Sequence, residues 1–227
     1  MKHLLLVAYH FPPLAGPGVF RPLRLAKYLP RHGWKVTVLS VSSRVRLLKD
    51  AGLLDDVPAG TRIERTPTLE PRTALIALLK LGAAPLVRRI EPWFMLPDDQ
   101  RGWVPFALRR ARRLLREQRF DAVVTTSAPY SAHLVGLALK RSRGVPWLAD
   151  FRDEWTTNRY FRDRYPTAWH LRASERLEDR VVHGADRVSC VSAPCLAAIR
   201  NRVPAEPASK FVLLPNGYDD EHFDGFP

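Results

Sequence analysis

The chain has 227 residues, 46% hydrophobic and 26% charged, a balance that supports a full buried core and excludes wholesale disorder. Its two cysteines, Cys190 and Cys195, are too few for a disulfide framework or a four-ligand zinc site, and they point to a reducing compartment. The net charge of +13 invites an anionic partner, yet 29 arginines against 7 lysines is a skew that GC-rich coding also produces, so charge alone assigns none.

Strand and helix patterns alternate along the chain. The opening MKHLLLVAYHFPP lacks the length and small-residue cleavage site of a signal peptide, so residues 2–9 are expected to form a buried first strand. Residues 19–32 carry helical spacing closed by Gly33, 34–41 (WKVTVLSV) reads as a second strand, and 61–66 as a weaker third. A helix at 103–119, a strand at 121–126 and a helix at 131–143, capped by Ser131 and ended by Gly144, come next. The pattern continues with a strand at 146–151, a helix at 168–183, a strand at 186–191, a short helix at 195–202 and a last strand at 210–214. It predicts an α/β fold, a Rossmann-like parallel sheet with helices on both faces. Ligands of such sheets bind at the carboxyl ends of the strands, which directs attention to residues 9–21, 126–133, 150–160 and 191–195.

In YHFPPLAGPGVFRP, Gly16-Pro17-Gly18 precede a helix, where backbone N–H groups and the helix dipole favour an anion. The dinucleotide fingerprint is not met, because Arg21 stands at the third glycine position, and no GK[ST] phosphate loop occurs. A tight turn explains the glycine pair about equally well. Arg21, in the first turn of that helix, opposes the dipole and tilts the reading toward phosphate.

The densest polar cluster is Asp150-Phe151-Arg152-Asp153-Glu154-Trp155, directly after the apolar VPWLA. One reading is an ion pair that orders the loop; the other is a carboxylate that binds substrate hydroxyls or acts as a base. The aromatics Trp155, Tyr160, Phe161, Tyr165 and Trp169, interleaved with Arg159, Arg162 and Arg164, suit a sugar or a lipid-linked phosphate, or equally a core. His10 and His133 also lie near strand ends, where a lone histidine is more often structural. On 101–119 the spacing turns Arg109, Arg112, Arg113 and Arg116 outward. The apolar stretch 74–97, broken by Gly82 and Pro85, is too short to span a bilayer; it reads as an internal core helix or, favoured by the total charge, as an interfacial segment with Lys80, Arg88 and Arg89 snorkelling and Trp93 and Phe94 inserted.

These pieces together resemble the N-terminal half of a GT-B glycosyltransferase of family 4. The resemblance is carried by PPLAGPGVFRPLRLAKYLPRHGWKVTVLS, PDDQRGW, TTSAPYSAHLVGLALKR, ADFRDEW, ADRVSCVSAPC and LPNGYDDEHF. It implies an acceptor-binding domain over 1–215, the start of an interdomain linker at 216–227, and a second, donor-binding domain beyond it. The activity implied is transfer of a sugar from a UDP- or GDP-linked donor to a saccharide or lipid-linked acceptor, in polysaccharide or cell-envelope biosynthesis. It is metal-independent, needs no cofactor, and retains configuration. The isolated domain is expected to be inactive. Asp150, Arg152 and Asp153 are the candidate catalytic residues, where many members carry a histidine. Gly16, Gly18, Arg21, Ser127, His133, Trp155 and Asn216 are candidates for substrate binding. Location in the cytoplasm, with peripheral contact to an anionic membrane face, is expected, and no nucleic-acid partner. The alternative is a stand-alone Rossmann-like binding module or partner subunit without catalysis.

Overall fold

Leu4, Leu5, Leu6 and Val7 are consecutive and all buried, as a strand covered on both faces requires. Leu5 and Val7 enter one apolar cluster, Leu4 and Leu6 the other. The computed structural model describes residues 1–69, 79–87, 96–158 and 167–219. Among these, seven strands form one sheet: β1 (Lys2–Val7), β2 (Trp34–Val41), β3 (Arg62–Thr66), β4 (Ala122–Ser127), β5 (Trp147–Phe151), β6 (Arg187–Cys190) and β7 (Phe211–Leu213). Their order is β3-β2-β1-β4-β5-β6-β7, and every pairing is parallel.

Among the helices of the described residues, these pack on the sheet: α1 (Pro17–Tyr28), α2 (Val104–Glu117), α3 (Ser131–Arg143), α4 (Ala168–Gly184) and α5 (Ala193–Arg202). Residues of α2, α3, α4 and α5 join the larger apolar cluster, and Ala26 of α1 closes the other face. The order reverses between β1 and β4, so the loops leaving these two strands diverge and open a crevice. One close approach is set by Gly136 in α3. A Cβ there would lie 2.3 Å from the Trp147 indole, so only glycine lets β5 present that ring to the helix backbone. The Trp147 indole Nε1–H donates to Thr125 Oγ1 at 2.9 Å.

Two local expectations are corrected. Ser131 does not cap α3. The carboxylate of Asp98 does, accepting from the Ser131 N–H at 2.8 Å and its hydroxyl at 2.5 Å. The first helix begins at Pro17, so Arg21 stands a full turn inside it, not in its first turn. Arg88, Arg89, Trp93 and Phe94 of the interfacial stretch, and Arg159, Tyr160, Phe161, Arg162, Arg164 and Tyr165, lie outside the described residues.

Candidate functional site

At the switch point, a cleft of about 650 Å³ opens between the loop after β1 and the loops after β4 and β5. Its wall at α1 is built by two glycines. Gly16 has φ +111°, a backbone that favours glycine, and it ends the loop at the helix N-cap. A Cβ on Gly18 would meet His10 Cδ2 at 3.2 Å and both terminal nitrogens of Arg152 at 3.4 Å. Its bare backbone is what allows imidazole and guanidinium to close on the helix start. That first turn has no side-chain cap and no acidic residue; Pro17 carries no N–H and the Val19 N–H is bonded to Gly16 O at 3.1 Å, so the turn offers the cleft the Gly18 backbone and the helix dipole.

Arg152 donates through Nε to the Ser127 carbonyl, through Nη2 to Ala128 O at 2.7 Å, and weakly through Nη1 to Pro17 O at 3.5 Å. Burial pushes its pKa below the ordinary arginine value, opposed by Asp153 and then Asp150; a guanidinium stays charged regardless. Burial, then the neighbouring Arg152 charge, lowers His10 to about 4 against a pull upward from Asp99, so the imidazole is neutral near pH 7. Asp153, exposed on the rim, is the carboxylate that the cleft presents to solvent. Arg24 and Asn216 complete the lining used here.

Asp150 is placed differently. It is 1% exposed, and its two oxygens accept from Arg21 Nε at 2.8 Å and Nη2 at 2.7 Å, from Thr126 Oγ1 at 2.8 Å and from Ser189 Oγ at 2.7 Å. Thr126 and Ser189 are its register partners on the flanking strands. Arg21 also donates to Leu214 O at 2.9 Å, Pro215 O at 3.2 Å and Asn216 Oδ1 at 3.0 Å. All five N–H groups of that guanidinium are then engaged, and none remains for a phosphate.

The structure thus brings Gly16, Gly18, Arg152, Asp153 and Asn216 to the cleft, with Arg21 beneath them turned to Asp150. It does not bring His133, Ser127 or Trp155 to the surface. His133 bonds through Nδ1 to Thr125 Oγ1 at 2.7 Å, packs 4.5 Å from the Phe151 ring, and is held neutral by burial, which lowers its pKa to about 3. The Ser127 side chain is fully buried, and its carbonyl is what it offers, to Arg152. Trp155 stacks on Tyr130 at 4.8 Å inside the core. Arg24, Thr126, Ser189 and Asp98 escaped the sequence reading. Arg24 had a signal, one helical turn from Arg21 on the same face; the other three are defined only by strand register or a distant loop.

A cationic mouth beside a neutral imidazole and one free carboxylate can take a phosphate-bearing ligand next to a hydroxyl group. Among the described residues no three His, Cys, Asp or Glu side chains come together in a way that could hold a metal ion. A second groove, of about 720 Å³, runs along α2 by Thr66, Pro67 and Phe106. There Arg110 pairs with Glu64 at 2.8 Å and Arg113 with Glu117 at 2.7 Å, while Arg109 and Arg116 are exposed; Arg112, also exposed, faces the α3 side of the helix.

A family model, Glycosyltransferase Family 4, matches residues 22–222. No curated protein sequence matches significantly. Among solved structures, sucrose-phosphate synthase from Thermosynechococcus elongatus is 13% identical, with a TM-score of 0.58 over 97% of this chain and 49% of that one. Anabaena HepE, solved in complex with UDP-glucose, is 13% identical, with a TM-score of 0.55 over 98% of this chain and 46% of that one. Medicago truncatula UGT71G1, also complexed with UDP-glucose, is 11% identical, with a TM-score of 0.57 over 95% of this chain and 51% of that one. At such identities the likeness is one of fold. The chain spans about half the length of these proteins.

Proposed function

The chain belongs to glycosyltransferase family 4, and from that premise we propose that it is the acceptor-side half of a two-domain transferase. The reaction is transfer of a hexosyl group, with retention of configuration, from a UDP- or GDP-linked sugar to a saccharide or lipid-linked acceptor of polysaccharide or cell-envelope synthesis. A second domain supplies most of the donor site, and this half alone transfers little or nothing. The observation that carries the reading is the cleft at the β1/β4 switch point, with an open helix N-terminus, Gly18, His10 and Arg152 meeting at its mouth. A donor diphosphate fits there, since its charge meets the helix dipole and the Arg152 guanidinium. Asp153 accepts the hydroxyl of the incoming acceptor, while neutral His10 hydrogen-bonds the sugar. Asp150 works through Arg21 as a positioning residue. UDP as the donor nucleotide is favoured by the two fold neighbours solved with UDP-glucose.

The test is calorimetric titration of the 227-residue chain with UDP-glucose, a GDP-linked hexose and UDP alone. Half a site should bind on the order of millimolar, and Arg152→Met should abolish the heat. If wild type and Arg152→Met bind equally, the cleft is not the donor site. If binding is tight but a longer chain carrying a second domain transfers no sugar, the chain is a non-catalytic binding module.

For location, we read the face of α2 as a contact with an anionic membrane at the cytoplasmic side. Its exposed arginines offer charge, and Leu79, Leu81 and Leu86, elsewhere in the chain, are exposed apolar side chains that suit an interface. Among the described residues no helix is long and apolar enough to cross a membrane. Co-sedimentation with phosphatidylglycerol vesicles should fall with salt and with Arg109→Glu/Arg116→Glu, and phosphatidylcholine vesicles should bind none. Equal binding to both lipids would sink this contact.

A further inference from the structure

The chain leaving β7 is laid along one face of α1. Arg21 holds the carbonyls of Leu214 and Pro215 and the Asn216 side chain. One turn on, Arg24 donates to the Gly217 carbonyl. In the last turn, Lys27 Nζ reaches Asp219 Oδ2 at 2.9 Å and the Tyr28 hydroxyl reaches Oδ1 at 2.5 Å. Asp219 is only 2% exposed. A segment without regular secondary structure is thus gripped by four side chains of one helix, Arg21, Arg24, Lys27 and Tyr28. Asn216 belongs both to this strap and to the cleft lining.

We propose that α1 is a two-ended lever: its N-terminal turn receives the anionic ligand, its side face grips residues 214–219, and Arg21 is the positioning residue that joins the two. The anion end rests on the reading of the cleft as a diphosphate site; the grip stands on its own contacts. A helix moves as a rigid element, so an anion that orders Gly16–Gly18 also fixes the forks of Arg21 and Arg24 that hold the strap. Asn216 adds a direct route, because a ligand in the cleft touches the strap itself. Linkage makes the coupling reciprocal. Whatever factor the ligand adds to strap closure, opening the strap removes from ligand affinity.

Chymotrypsin cleavage after Tyr218, followed by mass spectrometry on the 227-residue chain, reads the open fraction of the strap when opening and closing are fast. Arg24→Ala and Asn216→Ala should each speed that cleavage, by up to about tenfold, the effect of losing one charge-assisted hydrogen bond. Arg21→Lys, which keeps Asp150 paired but loses the fork, should do the same with the core intact by circular dichroism. Inorganic pyrophosphate should slow the cleavage in wild type, and the variants should bind it more weakly in proportion to the fraction of molecules whose strap they open. Pyrophosphate that binds without slowing cleavage after Tyr218 overturns the lever. Failure of pyrophosphate to bind at all removes the cleft reading and the lever with it, while the cleavage rates of the variants still report the grip. Cleavage in wild type as fast as in the variants removes the grip as well.

Discussion

Asp150, the penultimate residue of strand β5, and Arg152, just beyond its end, stand two residues apart and have opposite fates. Asp150 accepts four hydrogen bonds from four N–H or O–H groups and is closed off from any ligand. Arg152 spends Nε and Nη2 on two carbonyls of the turn after β4 and leaves Nη1 at the cleft, 3.5 Å from Pro17 O. Both are charged, and both sit at the carboxyl end of β5. What separates structure from recognition is the count of donors and acceptors left over, not the density of charge.

Perturbing stability and binding together sharpens that contrast. Asp150→Asn should cost the most, about 3–5 kcal/mol, because it leaves the Arg21 guanidinium buried without its counter-charge; urea unfolding measures it, and a loss below 1 kcal/mol would break the contrast. His10 comes next. Its folded-state pKa of about 4 lies below the unfolded 6.5, so the unfolded chain takes up the proton first. Stability present above pH 6.5 is therefore lost as pH falls toward 4, on the order of 2 kcal/mol. The stability difference between wild type and His10→Gln, followed from pH 7 to 4.5, should shift by that amount against the wild type. Arg152→Met should cost only about 1 kcal/mol of stability, for hydrogen bonds to two carbonyls, yet remove nucleotide binding in calorimetry. Gly18→Ala should be smallest in stability, under about 1 kcal/mol, since His10 and Arg152 need give way only by tenths of an ångström. Its affinity for UDP should still fall several-fold, and an unchanged affinity would detach the glycine from the site.

The alternation of β-branched runs with helical spacing was enough to read the layered sheet, because the inner strands β1, β2, β4 and β5 bury residues on both faces while a helix such as α2 buries one stripe. VTVLSV and DAVVTT are all but continuous apolar or small runs, and the elements they mark are β2 and β4. The site was legible in place and not in role. Arg21 was recognised as a charge needing compensation, but its carboxylate lies 129 residues away in sequence, and only the strand order brings it near. Ser131 read as a cap because its type fits; the carboxylate of Asp98 arrives from a loop 33 residues earlier. His133 carried the right chemistry on a buried face of its helix, and Trp155 in a loop folded onto Tyr130, distinctions that no local pattern supplies.

Thr126, Asp150 and Ser189 sit abreast on three neighbouring strands, with their side chains on one face. A slip of β5 by a single residue would send the carboxylate to the opposite face and abandon two hydroxyls and a guanidinium in the interior. Apolar strands such as these otherwise fit one another almost equally well in several alignments. The buried quartet therefore acts as a proofreading mark for assembly: misaligned sheets are penalised by stranded polar groups, and the correct pairing is selected by chemistry that contributes little to net stability.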